Sequence, residues 1–432
     1  MHGGGTKVPS HAFKRCDIVH VVNKEVVYLH DAFVSETLRT PHKRDYDIIV
    51  AGGGIAGCSA AIAARRYGYS VLLIEKNINL GGLATNGLVV YFNPSLCDQK
   101  GNQLIGGIAE ELMHRSIRYG RGDIPSPWAY RKKKIEGDVI YKTTFAAPAF
   151  VAALDEIMRE EGIDVLFDSV CTGVLMNGNE GLCCGVFVEN KEGRVFYGAK
   201  QVVDTTGDVD LFKRAGAPCV EDLNWNSYWA LMLTMDSVRD CLEKDDIRNA
   251  LKVKSFASGM DGLNNPQGLR QYTIETGEEV SAYITDGREY LLKYLKTMDK
   301  TQEMPVFLPS QAQYRTTRRI CGNYLLDEID RDAHHEDSIG CAHTHKYGGF
   351  SLEFPYRSLV VSGYKNMITA GRTISSSMNV RGLTRLIAPS AMTGEAAGTA
   401  AAMAIEKKLD INNIPVSQLQ SRLVAAGGIL HF

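Results

Sequence analysis

The stretch from Tyr46 to Glu75 constrains the fold of this chain more than any other. Tyr46-Asp-Ile-Ile-Val-Ala-Gly52 is short, apolar and rich in β-branched residues, which predicts a buried parallel strand. Gly52-Gly53-Gly54-Ile55-Ala56-Gly57 follows at once with the spacing G-x-G-x-x-G. Cys58 to Arg66 is alanine-rich and reads as a helix, which Gly68 ends. Ser70-Val-Leu-Leu-Ile74 reads as a second strand, and Glu75 stands at its end. Each part has a physical task. Gly52 permits a tight turn, Gly54 lets the backbone approach a pyrophosphate, and Gly57 allows close helix–strand packing. Ile55 and Ala56 open a helix whose free N–H groups and positive dipole end face the phosphates. Glu75 accepts hydrogen bonds from ribose hydroxyls, and its charge disfavours a 2′-phosphate. Together these parts predict a dinucleotide site, for FAD or NAD before NADP.

The next residues separate those two. In an NAD dehydrogenase the second strand usually leads into another crossover helix. Here Glu75 is followed by Lys76 and a loop holding Gly81, Gly82, Leu83, Thr85 and Gly87. Two glycines there let backbone lie against an extended cofactor. At this point the chain resembles the FAD-dependent oxidoreductases of the glutathione-reductase-like superfamily. Val165-Leu-Phe-Asp-Ser-Val170 resembles the strand whose backbone touches the adenine. Glu180 to Tyr197 alternates and turns at Gly181 and Gly193, as an antiparallel meander would. Val202-Val-Asp-Thr-Thr-Gly207-Asp208 is similar to the superfamily's second short signature, with Thr205 where alanine is usual. That likeness implies that Thr206, Gly207 and Asp208 contact the cofactor.

The C-terminal half adds Arg315-Thr-Thr-Arg318-Arg319-Ile-Cys-Gly322, Asp337-Ser-Ile339 and Phe354-Pro-Tyr356-Arg-Ser-Leu359. Asn366-Met-Ile-Thr-Ala-Gly371-Arg372 reads as a strand ending in Gly-Arg, and Thr384 to Ala401 runs into a second alanine-rich helix. With these blocks the chain resembles the FAD-dependent oxidoreductase family of bacterial flavoproteins over about residues 45–408. The resemblance implies an oxidoreductase with non-covalent, extended FAD, and it does not fix one substrate. Gly371 would allow close approach to the phosphate and ribityl region, and Arg372 would add positive charge. A helix starting near Thr393 would aim Thr393, Gly394, Ala396 and Ala397 at the flavin pyrimidine. The alternative is that Gly394 and Gly398 serve helix packing only.

The expected fold is α/β. A Rossmann-like FAD-binding domain with a parallel sheet and β-meander interleaves with a second, α+β substrate domain. The FAD segments would be residues 45–95, 145–215 and 355–408. Residues 96–144 would be an insertion with a helix from Gly107 to Tyr119, and 216–354 the substrate domain. Residues 1–44 would be an extension with a hairpin about Asn23-Lys24, and 409–432 a tail with a helix from Pro415 to Leu423. Arg131-Lys-Lys-Lys134 reads as a solvated loop.

Charge narrows the partners. Lys and Arg number 48 against 50 Asp and Glu, a net −2, which argues against a basic nucleic-acid surface. No run reaches 18 apolar residues and the N-terminus has no apolar leader core, so a cytoplasmic protein without a membrane span is expected. Ten cysteines occur without a Cys-x-x-Cys, which reads as reduced thiols.

Catalytic candidates lie in segments expected near the flavin. His334, His335, His343 and His345 fall within 12 residues. His343 and His345 at i, i+2 suit two ligands on one strand face, yet no carboxylate or cysteine motif completes a pattern, so no metal is expected. One of the two as acid/base is the sharper reading, a solvated loop the plainer one. Arg318 and Arg319 suit bidentate grip of a substrate carboxylate, or salt bridges to Glu328 or Asp330. Arg385, beside Arg381, matches a family position for a flavin or substrate contact. Tyr347 and Tyr356 suit packing better than substrate orientation. The expected reaction is hydride transfer between a CH–OH or CH–NH group of a small substrate and flavin N5. The alternatives are an ene-type reductase with an Arg or Tyr proton donor, and a non-catalytic flavin-binding assembly subunit. No second G-x-G-x-x-G has strand–helix context, so an external electron donor or acceptor is expected; a homo-oligomer stays open.

Overall fold

β1 (His42–Ala51) passes from an exposed first half into a second half in which Ile48 to Ala51 are fully buried. Alternation sends Ile48 and Val50 to one core and Ile49 and Ala51 to another, so both faces of the sheet are covered. The computed structural model describes residues 20–22, 25–30, 33–129, 140–258, 267–345 and 349–432. Beside β1 runs β2 (Val71–Ile74), and beyond it β3 (Asp164–Leu166), all parallel. The antiparallel meander follows: β4 (Val170–Met176), β5 (Cys183–Asn190) and β6 (Gly193–Asp204). β6 lies parallel to β1 on its other side. The far edge of β6 is divided. Residues 193–198 pair with β5, and residues 202–204 pair in parallel with β7 (Met367–Thr369). The order is therefore β3-β2-β1-β6-β5-β4, with β7 beside the end of β6.

α1 (Ile55–Arg66) and α4 (Ile387–Lys407) cross this sheet in direct contact. A Cβ on Gly394 would stand 2.2 Å from the Ala56 carbonyl oxygen, and one on Gly398 would stand 2.1 Å from that of Ala60. Glycine at both places is what lets the two backbones touch. α2 (Gly107–Ser116) and α3 (Ala147–Glu161) complete this layer.

A smaller unit stands apart with its own core of Tyr228, Ala230, Met232, Phe256 and Leu291. Its sheet places Ser227–Thr234 between Leu251–Ala257 and Glu303–Phe307, all antiparallel, and the helix Gly277–Leu295 packs on it. The hairpin Ser338–Thr344 with Phe350–Pro355 falls inside the segment assigned above to the substrate domain, yet it packs in the first core. Ile339, Cys341, Leu352 and Phe354 share that core with α4, because both strands are apolar enough to need cover. Leu104, Ile105 and Leu112 of the expected insertion join it too. The tail helix Val416–Ala425 adds Leu419 and Leu423. Near the N-terminus His20–Val22, Glu25–His30 and Phe33–Glu36 form an antiparallel ladder. Asn23-Lys24, Arg131 to Lys134 and Tyr347 lie outside the described residues.

Glu395 of α4 is buried and accepts a 2.9 Å hydrogen bond from the Ile108 N–H at the start of α2. A helix N-terminus favours an anion there. Burial wins, and pushes the Glu395 carboxyl up to about 7. In the unfolded chain the group ionises at its ordinary value near 4.5. Between these two values only the unfolded state has lost the proton, so this group makes stability fall as pH rises, and the loss is complete above about pH 7. Glu395→Gln keeps an acceptor for Ile108 and removes the ionisation. Relative to the parent it should be about 3 kcal/mol more stable at pH 8 than it is at pH 4. Urea melts at the two pH values measure this, and a pH-independent difference would refute it.

Candidate functional site

The carboxyl ends of β1, β2, β6 and β7 open onto one cleft of about 970 Å³. This is the point where strand order reverses between β1 and β6, the usual ligand position in an open α/β sheet.

The floor is the turn after β1. Gly52 has φ +103°, and a Cβ on it would stand 2.4 Å from the Thr205 carbonyl oxygen. The Thr205 hydroxyl donates to the carbonyls of Ala51 (2.9 Å) and Gly52 (2.8 Å). That gives the departure from alanine a physical use: one side chain ties the loop after β6 to the loop after β1. Gly54 faces open space, with nothing among the described residues within 4 Å of a Cβ built on it. Gly57 does not line the cleft; its Cα packs under the Gly52 carbonyl, where a Cβ would fall 1.8 Å from the oxygen. Ile55 and Ala56 do line it, and α1 starts there with no side-chain cap and no acid in its first turn.

The wall on the β2 side is Glu75, 4% exposed. Its Oε2 accepts from the Gly53 N–H at 2.7 Å, and its Oε1 from the Asn77 backbone N–H and side-chain amide, both at 2.8 Å. Lys76, Gly81, Gly82 and Leu83 continue that wall, and Val170 lies across from them. Thr85 does not reach it. Its methyl supports Gly81 from below and its hydroxyl donates to the Leu80 carbonyl.

Thr206 and Gly207 line the β6 side. Asp208 does not. Its Oδ1 accepts from Arg372 Nη2 at 2.8 Å and from the Thr317 hydroxyl at 2.7 Å. Burial raises its pKa, but Arg372, Lys76 and the Thr317 hydroxyl together outweigh burial and hold the carboxyl below the usual carboxylate range. The Arg372 guanidinium lines the cleft, yet its donors are committed to Asp208 and to the Gly207 and Tyr314 carbonyls. Asp210, which no sequence motif flags, lines the cleft and receives Arg318 Nη2 at 3.0 Å. Burial and then the neighbouring Asp208 push its carboxyl up. Arg318 therefore pairs with Asp210 rather than with Glu328 or Asp330.

The last wall is the loop Ala370 to Arg372, with Gly371, and the start of α4. α4 begins at Ile387, six residues before the expected start near Thr393. Pro389 sits in its first turn, where proline is tolerated, so it does not mark a loop. Ile387 and Ser390 consequently line the cleft, while Thr393, Gly394, Ala396 and Ala397 do not. Thr393 accepts the Gly371 N–H at 3.0 Å and so positions the loop. Gly394, Ala396 and Ala397 are packing residues of the core. Arg385 lines the cleft beside this helix start. α4, like α1, has no side-chain cap and no acid in its first turn.

His343 and His345 are not brought to this cleft. They stand on the hairpin beside α4, with ring centres 4.8 Å apart. His343 Nδ1 is 3.0 Å from the Ser351 hydroxyl, and burial lowers its pKa. His345 Nε2 is 3.1 Å from the Cys97 carbonyl. Arg381 pairs with Asp222, and the Tyr356 hydroxyl donates to the Ile411 carbonyl at 2.7 Å, so both hold structure. Gln311 lines the cleft from the smaller unit and carries no motif that could have flagged it.

The family model described as FAD dependent oxidoreductase matches residues 47–267 and 259–423. The chain belongs to that family. Its cofactor is FAD, and the residues fit it. Two uncapped helix N-termini would offer N–H groups to anionic parts of the cofactor, Gly54 would leave room for it, and Glu75 at the end of β2 would face its ribose. Among curated relatives, the tRNA uridine 5-carboxymethylaminomethyl modification enzyme MnmG of Treponema denticola is 32% identical over 171 residues, covering 38% of this chain and 26% of the relative. The Lactococcus lactis enzyme of the same name is 27% identical over 174 residues, 38% and 25%. The chain spans about a quarter of the length of these relatives. Among solved structures, a geranylgeranyl bacteriochlorophyll reductase-like protein of Thermoplasma acidophilum is 15% identical, with 89% of this chain and 84% of that one covered at a TM-score of 0.46. Among the described residues no helix of this flavoenzyme is long and apolar enough to cross a membrane.

Proposed function

We propose that this FAD-dependent oxidoreductase passes a hydride between a CH–OH or CH–NH group of a small organic substrate and its flavin. The supporting observation is Gln311. It lines the cofactor cleft and also a second cavity of about 420 Å³ in the smaller unit. That cavity is lined by Tyr228, whose hydroxyl is buried and has no hydrogen-bond partner among the described residues, and by the exposed Arg288. A small polar substrate there would give Tyr228 its missing partner and meet a cation at the rim. FAD, when bound, supplies the two-electron chemistry. This chain binds the cofactor through its backbone turns, orients its ribose through Glu75, and holds a cation, Arg385, beside the start of α4. Electron exchange with an external donor or acceptor completes the cycle.

The test is anaerobic. Purified protein is mixed with small alcohols, hydroxy acids and amines, and the flavin absorbance is followed. Bleaching by a CH–OH or CH–NH compound, weakened at least tenfold in KM by Tyr228→Phe, is the expected result. Bleaching only by external reductants, with reoxidation by an activated alkene, would replace this reading with an ene-type reductase. A flavin that no donor or acceptor perturbs would leave a non-catalytic assembly subunit.

A further inference from the structure

We propose that His334, Glu353 and His431 form a binding site for a divalent transition-metal ion, with zinc the best match. The three come from separate parts of the chain. Glu353 lies in the strand Phe350–Pro355, His334 in the loop before Ser338–Thr344, and His431 in the tail. Each offers one ligand atom, and these atoms lie within 4.8 Å of one another. His431 Nδ1 is 2.9 Å from Glu353 Oε1, and His334 Nδ1 is 3.3 Å from Glu353 Oε2. Ligands at about 2.0–2.2 Å from a tetrahedral zinc stand roughly 3.3 Å apart, so the donors need little movement.

Electrostatics points the same way. The Glu353 side chain is 2% exposed. Among the described residues its ion-pair partners are these two histidines, which are charged only when protonated. A buried carboxylate without a permanent cation is costly. A divalent ion on neutral imidazoles supplies that charge. The donor set of two nitrogens and one oxygen suits zinc and its neighbours, whereas magnesium and calcium take oxygen ligands.

The surroundings hold the ligands in place. The His335 backbone N–H donates to Glu353 Oε2 at 2.7 Å, which fixes the carboxylate. The Ser338 hydroxyl donates to the Leu430 carbonyl at 2.7 Å, which fixes the tail one residue before His431. His334 and His431 are 64% and 41% exposed, so water can reach the fourth position. None of the three lines the cofactor cleft. The ion would clamp the tail to the hairpin that packs on α4.

Holoprotein freed of metal with a chelator and titrated with zinc chloride in a calorimeter tests this. One equivalent should bind, and His334→Ala and His431→Ala should each weaken it more than tenfold. His431 is a half-exposed tail residue, so its variant should keep the parent's flavin spectrum and circular dichroism; Glu353→Gln, which alters a buried group, is the secondary variant. Zinc held instead by exposed free thiols such as Cys184 and Cys321 would be unaffected by His431→Ala. Zinc binding that His431→Ala leaves unchanged would overturn the proposal, as would the absence of stoichiometric binding.

Discussion

Gly394→Ala is expected to lower stability by about 2–4 kcal/mol, at or above the upper end of the usual cost of overpacking. The added methyl would stand 2.2 Å from the Ala56 carbonyl oxygen. Backbone has no rotamer that could yield, so α1 and α4 must separate, and the buried alanines between them lose contact. Gly398→Ala should behave alike through Ala60, 2.1 Å away. Gly382 supplies the control. It lies within the helix Met378–Thr384, and nothing stands within 4 Å of a Cβ built on it. Gly382→Ala should be neutral or should stabilise by up to about 1 kcal/mol, because alanine favours helix more than glycine does. Urea midpoints of the three variants decide the matter. Equal midpoints for Gly394→Ala and Gly382→Ala would mean that the helices do not touch as described.

The second large effect separates two neighbouring glycines. Gly52→Ala must hold φ near +103° and place a methyl 2.4 Å from the Thr205 carbonyl oxygen. Left-handed backbone alone costs about 1–2 kcal/mol, and the clash pushes the two cleft loops apart. FAD affinity should fall at least a hundredfold, about 2.7 kcal/mol, together with a loss of stability. Gly54 has φ −66° and open space beside it. Gly54→Ala should therefore fold as the parent does, while its methyl occupies cofactor space and weakens FAD binding at least tenfold. Flavin titration of apoprotein beside a urea melt reads both quantities. Parent-like FAD affinity in Gly54→Ala would place the cofactor elsewhere.

Much of this architecture was legible in local pattern. The run from Tyr46 to Glu75 became β1, α1 and β2 because its periodicity, small residues and glycines all favour one outcome. The turns at Gly181 and Gly193 did mark the meander. Pattern failed where a residue's partner is distant in sequence. Nothing near Arg372 announces that Asp208 neutralises it, and nothing near Asp210 announces Arg318. α4 starts at Ile387 rather than near Thr393, because a helix tolerates Pro389 in its first turn. The histidine cluster read as a local group. The structure instead separates His343 and His345 from His334, which meets His431 from the tail.

The two helices whose starts line one cleft begin at Ile55 and Ile387. During synthesis the first half of the cleft leaves the ribosome with no second half. At about 5–20 residues per second, the roughly 330 residues between them take about 15–65 s to appear. Until then the apolar faces of α1 and β1 have no lasting cover, and neither does the turn at Gly52. FAD capture is thus a late event in the birth of the chain. A nascent chain stalled before α4 should depend on chaperones, and supplying flavin should not relieve that dependence.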